Sequence, residues 1–310
     1  MEVIFILEGV DKCGKTTLSE RLIKRFKAEY VKFSAPTKPP YQEYNEFLDR
    51  VDPNKCYVLD RFCHGELVYG PVYRGKSGLN LWQLFYLELR LKAFNAVVIY
   101  CEIPSMLIRS NFNKDKEKIT RPEDIERLLE SYDKVWNHSL IKPLRYDYTE
   151  DVTAGELLGQ LDQLHFKSKT FFQDSSQYKN YIGSTSPDVV FVGDRKNPKR
   201  SHLPIFDSLS GYFLLKSCFV RLDLNKVGFC NSIGEGGDIV SYDFIKWLKP
   251  RKLVCLGKLS YDRMSSIMDE DGEFLKVPAV EVPHPQYAKR FLGKQALTKY
   301  ACQLAEAANA

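Results

Sequence analysis

An apolar run, Val3–Leu7, passes through Glu8 into Gly9-Val10-Asp11-Lys12-Cys13-Gly14-Lys15-Thr16, which has the spacing G-x-x-x-x-G-K-T. A short apolar run that stops at a glycine reads as a buried parallel strand. Behind the loop, Lys15–Lys27 places Leu18, Leu22, Ile23 and Phe26 on one helical face. Strand, glycine loop and helix in that order bring successive backbone N–H groups to one point, and the helix adds its positive end. That geometry cradles phosphate. It places Lys15 to bridge the β- and γ-phosphates of ATP and Thr16 to ligate Mg2+, with Thr17 completing the expected nucleotide-binding segment. The motif recurs by chance, but here a strand precedes it and an amphipathic helix follows.

The same alternation continues along the chain. Tyr57–Leu59 reads as a strand ending at Asp60-Arg61, and Ala96–Tyr100 as another ending at Cys101-Glu102. Leu79–Phe94, Ser105–Ser110, Pro122–Trp136 and Ala154–His165 have helical character, and lysine-rich Asn111–Arg121 reads as a loop. Strands alternating with helices predict an α/β fold with a parallel sheet covered on both faces. From Phe166 to about Pro187 the texture turns polar and turn-rich, which reads as a linker. Alternation then restarts with strands at Val189–Val192, Gly228–Cys230, Leu253–Leu256 and Ala279–Val282. Helices are expected near Gly211–Lys216, at Tyr242–Leu248 and Leu259–Ile267, and over Gln286–Ala308. The expected organisation is a first domain over 1–165, a linker over 166–186 and a second α/β domain over 187–310.

With 310 residues, 44% hydrophobic and 27% charged, the chain has material for two cores. Its net charge of +5 permits anionic partners without requiring them. The eight cysteines include no C-x-x-C pair, and several lie inside apolar runs, as expected of reduced core thiols in a cytoplasmic protein. No stretch reaches membrane-spanning length and the N-terminus lacks signal-peptide design, so no membrane partner is expected. A homodimer is left open.

The opening Phe5-Ile6-Leu7-Glu8-Gly9-Val10-Asp11-Lys12-Cys13-Gly14-Lys15-Thr16-Thr17 resembles that of thymidylate kinases and related phage nucleotide kinases. The resemblance implies a P-loop kinase fold over roughly residues 1–165. It implies that Asp11 lies near the acceptor's sugar hydroxyl and that Lys12 stands where the family has a phosphate-contacting loop arginine. Asp60-Arg61-Phe62, followed by Gly65, Val68 and Tyr69, is similar to the family's next block. By that resemblance Arg61 holds the acceptor phosphate, Asp60 organises Mg2+ or its water, and Phe62 and Tyr69 flank a pyrimidine. Gly70 stands where the family has a base-reading glutamine, so Gly65 and Gly70 together suggest room for a larger substituent on the base. His64 reads as a loop residue. Glu102-Ile103-Pro104 with Arg109 resembles the family turn and arginine beside a mobile lid, and Lys114, Lys116, Lys118 and Arg121 are lid candidates.

The second half carries Gly193-Asp194-Arg195-Lys196-Asn197, then Phe206, Asn231 and His284-Pro285. The set resembles a diverged uracil-DNA glycosylase-type domain over about 186–295. The resemblance implies a pocket in which Phe206 stacks on a base, Asn231 reads its edge and His284 faces its carbonyl, with Asp194 or Asn197 to place a water. Arg195-Lys196 interrupts the first motif and Gln286 replaces the usual serine, which disfavours an active glycosylase. Arg195, Lys196, Lys199 and Arg200 are candidate contacts to a DNA backbone.

Three readings follow. One is a kinase moving the γ-phosphate of ATP to a pyrimidine deoxynucleotide, dTMP to dTDP. Another is a phage kinase acting on 5-hydroxymethyluracil in DNA, with the second domain holding base or DNA. The last is a nucleotide-switched DNA-base reader or glycosylase.

Overall fold

A computed structural model describes residues 3–52, 54–112, 120–150, 155–162, 180–195, 206, 208–233, 240–269 and 271–310. The chain divides into two compact units, Met1–Glu88 with Phe94–Gln173, and Asp174–Ala310 with Leu89–Ala93.

The first unit is built on a parallel sheet of β1 (Ile4–Glu8), β2 (Glu29–Lys32), β3 (Tyr57–Asp60), β4 (Val97–Cys101) and β5 (Leu144–Tyr146), in the order β2-β3-β1-β4-β5. Every residue of the central strand β1 is buried. That is why its sequence is a continuous apolar run rather than an alternation. Leu7 of β1 stands level with Asp60 of β3 and with Ile99 of β4. The segments leaving those strands therefore emerge side by side at one edge of the sheet, where open α/β sheets bind ligands. The helices are α1 (Lys15–Phe26), α2 (Pro40–Arg50), α3 (Cys63–Arg74), α4 (Leu81–Ala93, of which Leu81–Glu88 belongs to this unit), α5 (Ser105–Phe112) and α6 (Ile125–His138), and residues 155–162 are also helical. Two helices, α2 and α3, and two strands, β2 and β5, were not apparent from periodicity. The edge strand β2 is largely exposed and polar, and β5 has only three residues.

The second unit has β6 (Tyr181–Gly183), β7 (Val189–Arg195), β8 (Val227–Ile233), β9 (Lys252–Leu256) and β10 (Ala279–Val282), in the order β10-β9-β7-β8-β6. Four strands run parallel, and β6 pairs antiparallel with β8. Residues 181–183, expected in the linker, are thus an edge strand. The helices are α7 (Leu209–Arg221), α8 (Tyr242–Leu248), α9 (Lys258–Ser265), α10 (Pro285–Phe291) and α11 (Ala296–Asn309). The single terminal helix expected over 286–308 is two helices. They part at Gly293, whose φ of 72° leaves the right-handed helical region. None of the eight cysteines is in a disulfide, and all but Cys302 are buried.

Candidate active site

The loop between β1 and α1 is shaped by two glycines. Gly9 has φ 137°, and a Cβ there would lie 2.4 Å from the Cys101 carbonyl oxygen. Gly14 has φ 91° and caps α1 with no side chain. The first-turn N–H groups of α1 therefore stay free for an anion. Lys12, between them, sits at φ 68°, a strained left-handed conformation for a side-chain-bearing residue. The Lys15 ammonium is buried and donates to the carbonyls of Gly9 at 3.0 Å and Val10 at 2.7 Å. Thr16 and Thr17 at the start of α1 are exposed. This donor set fits a triphosphate. The Thr16 hydroxyl is of a type that Mg2+ accepts as a ligand.

Arg61 leaves β3 with φ 68°, and its N–H donates to the Leu7 carbonyl at 2.9 Å. Its guanidinium donates to Asp11 and, at 3.0 Å, to the Tyr69 hydroxyl, and lies 4.1 Å from the centre of the Tyr69 ring. Asp11 also accepts from the Thr120 hydroxyl and stands 3.9 Å from the Lys15 ammonium. Asp11, Lys15, Arg61 and Tyr69 thus form one cluster. Burial opposes ionisation of Asp11. The Arg61 guanidinium, the Lys15 ammonium and the Thr120 hydroxyl outweigh it and hold the carboxyl below its ordinary value of 3.8. A depressed folded-state pKa adds stability that is full above the unfolded value and is lost as pH falls through the folded one. The unfolding temperatures of the wild type and Asp11→Asn should therefore differ at neutral pH and converge in acid, as the pH falls through the folded-state pKa of the carboxyl. A thermal-unfolding series from pH 7 downward checks this.

Behind the cluster lies Glu8, fully buried at the end of β1. One of its oxygens accepts from the backbone N–H of Phe62 at 2.9 Å and of Gly65 at 3.0 Å. The other accepts from the Tyr132 hydroxyl at 3.0 Å. Burial pushes its carboxyl up, against the pull of His64 and these donors.

Other expected residues have different places. Phe62 is fully buried among Phe33, Tyr44 and Phe47, so it is a core ring. His64, read as a loop residue, is fully buried in α3 and pairs with Glu88 at 3.0 Å. Asp60 accepts from the Tyr30 hydroxyl at 2.9 Å and pairs with Lys32 at 3.7 Å, all through Oδ2. Gly65 and Gly70 do not open a cavity. A Cβ on Gly70 would lie 2.9 Å from the Ser77 Cα and 3.0 Å from the Glu66 carboxylate, and one on Gly65 would lie 3.0 Å from Glu8. The partner of Arg109 is Glu126, at the surface. The same helix reaches the loop instead through Asn111, which donates to the Lys12 carbonyl at 3.2 Å and the Tyr148 hydroxyl at 2.8 Å. Arg121 is exposed and pairs with Asp124. Lys114, Lys116 and Lys118 lie outside the described residues.

Glu8, Asn111, Thr120, Tyr132 and Tyr148 were missed from sequence. Only Glu8 carried a signal, a carboxylate ending an otherwise apolar strand.

No protein-family model matches the chain. The SPbeta prophage-derived uncharacterized protein YorR of Bacillus subtilis (strain 168) is 27% identical over 160 residues, covering 50% of this chain and 96% of YorR. Its crystal structure, in complex with phosphorylated GDP, aligns with 53% of this chain and 98% of its own at 24% identity and a TM-score of 0.46. Deoxyadenosine kinase from M. mycoides with bound dATP aligns with 51% of this chain and 99% of its own, at 15% identity and a TM-score of 0.38. Thymidylate kinase from Candida albicans aligns with 53% and 93%, at 14% identity and a TM-score of 0.35.

In the second unit, Gly193 at the end of β7 stands level with Asn231 of β8. A Cβ on Gly193 would lie 2.6 Å from the Asn231 side-chain oxygen and 3.4 Å from the Phe206 ring. Phe206 has φ 57° and its ring meets Phe229 edge-on at 5.9 Å. His284 caps α10, its Nδ1 accepting from the Gln286 N–H at 3.2 Å. Burial lowers its pKa, against the pull of Asp194, which favours a neutral ring. The Asp194 carboxylate is held by Arg263, which also donates to Ser232 at 3.1 Å. Asn197, Lys196, Lys199 and Arg200 lie outside the described residues, and Arg195 is exposed.

Proposed function

We propose that the first unit transfers the γ-phosphoryl group of ATP to the phosphate of a pyrimidine deoxynucleotide, dTMP to dTDP. The observation that carries this reading is the Arg61 guanidinium beside the Lys15 loop. Its Nε is buried and has no hydrogen-bond partner among the described residues. A buried donor without an acceptor is costly. A phosphate is the acceptor that a guanidinium fork fits best. A nucleotide-binding switch needs the loop but no second phosphate-binding arginine.

Phosphoryl transfer asks for positioning and charge stabilisation rather than covalent help. The loop N–H groups, Lys12 and Lys15 surround the donor phosphates, and Arg61 holds the acceptor in line. Asp11 fixes Arg61, and the family resemblance implies that it lies near the acceptor's sugar hydroxyl. Thr16 would hold Mg2+, with Asp60 a candidate for holding its water, and the cation would supply neutralisation of charge on the donor phosphates.

Purified protein given γ-labelled ATP and dTMP should produce labelled dTDP. Replacing Arg61 by lysine keeps the charge but loses the fork. It should raise the acceptor KM by about 10- to 100-fold and leave the ATP KM within about 2-fold. No label on any nucleotide would end this reading.

A second reading is favoured by the meeting of Gly193, Asn231 and Phe206 in the second unit, with His284 near enough to feel the charge of Asp194, the residue after Gly193. Stacking ring, amide edge and neutral imidazole suit an unpaired base, so the acceptor in this reading is 5-hydroxymethyluracil in DNA. With Asp194 tied to Arg263, binding of the base is favoured over its hydrolysis. Label appearing on modified duplex DNA and not on dTMP would select this alternative.

A further inference from the structure

We infer that Glu8 is a positioning residue for the acceptor phosphate: its carboxylate fixes the turn that aims Arg61. The inference rests on the proposed role of Arg61 and adds the group that sets its place. Arg61 itself adopts φ 68°, a left-handed conformation that is strained for a side-chain-bearing residue and persists only where the surroundings impose it. The surroundings are specific. On one side the Arg61 N–H is pinned to the Leu7 carbonyl at 2.9 Å. On the other, the Phe62 and Gly65 N–H groups converge on one Glu8 oxygen at 2.9 and 3.0 Å.

Those two donors bracket the start of α3, which has no side-chain cap of its own within the helix. Glu8 caps α3 from the neighbouring strand instead, and the residue just ahead of the cap is Arg61. The second Glu8 oxygen takes the Tyr132 hydroxyl at 3.0 Å, and that hydroxyl also lies 3.3 Å from the Gly9 carbonyl. One buried carboxylate therefore ties the first loop residue, the start of α3 and α6 to a single point. Gly65 belongs to the same device, because a Cβ there would lie 3.0 Å from the Glu8 carboxylate.

What α3 needs from Glu8 is an acceptor oxygen, which an amide also offers. Glu8→Gln should therefore keep the acceptor KM within about 3-fold of wild type. Glu8→Leu, similar in size but without oxygen, should raise the acceptor KM about 10-fold or more with the ATP KM within about 2-fold. A general loss of folded protein lowers kcat and leaves both KM values in place, so the split identifies positioning.

A second measurement needs no acceptor at all. The side-chain Nε–H signal of Arg61, assigned by its loss in Arg61→Lys, should be sharp in wild type and Glu8→Gln and broadened in Glu8→Leu. If Glu8→Leu does not fold, Tyr132→Phe takes its place, with a smaller rise in acceptor KM and the same broadening. Unchanged acceptor KM with an unchanged Arg61 signal would overturn the inference, as would equal rises in both KM values. A wild type that labels no acceptor while its Arg61 signal still responds to Glu8→Leu would refute the proposed reaction and leave this positioning role standing.

Discussion

Replacing Lys15 by alanine should lower phosphoryl transfer about 1,000-fold or more while the protein remains folded. The ammonium is 7% exposed, so most of its hydration has already been removed by the fold. The Gly9 and Val10 carbonyls replace that water. A triphosphate entering the loop offers charged oxygens in place of neutral ones, and the exchange needs little further desolvation. Charge that spreads over the transferring group then meets a cation already in place, which is where a fixed donor acts most strongly. A 1,000-fold loss corresponds to about 4 kcal/mol of transition-state stabilisation. The measurement is kcat for label transfer, beside an unfolding curve of the same preparation. A variant within tenfold of wild type would remove Lys15 from the mechanism.

The largest expected loss of stability lies elsewhere in the first unit, at His64 and Glu88. Both side chains are fully buried and 3.0 Å apart, and Glu88 also accepts from the Ser139 hydroxyl and, at 2.9 Å, from the Leu140 N–H. Burial alone would strip the proton from His64. Cys63 and Glu88 beside it reverse that and raise its pKa well above 6.5. Glu88→Leu takes away a charge that keeps His64 protonated and leaves the buried imidazole and the Leu140 N–H without this partner, and should cost about 3–5 kcal/mol. The double variant His64→Leu/Glu88→Leu removes both charges and should recover much of the loss, since a pair is more expensive to break than to replace. Denaturant unfolding of the three proteins checks this, and additive losses would refute it. The raised His64 pKa also sets a direction. Its contribution is full below the unfolded value and fades as pH rises through the folded one, so the wild type should lose stability on the alkaline side.

What the sequence made legible follows from how each element is stabilised. β1, β3 and β4 are buried on both faces and announce themselves as apolar runs. The Gly9–Thr16 loop is written locally, because its function lies in its own backbone. Arg61 was singled out because it follows the end of β3, whereas Asp11, inside the loop, was singled out by the family resemblance. The misses are contacts made across the fold. Asn111 reaches the loop from α5, Thr120 reaches Asp11 from over a hundred positions away, and Tyr132 reaches Glu8 from α6. No local pattern encodes such partners. Phe62 and His64 were misread for the converse reason, since a ring or imidazole looks alike in sequence whether it faces a ligand or fills a core. α3 escaped notice because it carries glycines at 65 and 70 and a proline at 71, poor helix formers that are explained only by the chain packed against them.

The close approach of Gly9 to the Cys101 carbonyl bears on how this loop can diversify. Any side chain at Gly9 would act as a wedge between β1 and β4, whatever lies in the cradle. Tyr148 closes off Gly14 in the same way, its ring 2.5 Å from where a Cβ would sit. Val10 and Cys13 are sealed in the interior. Of the four letters between the two glycines only Asp11 and Lys12 are not sealed in the interior, so those are the two positions where a side chain can change without disturbing the packing behind the loop.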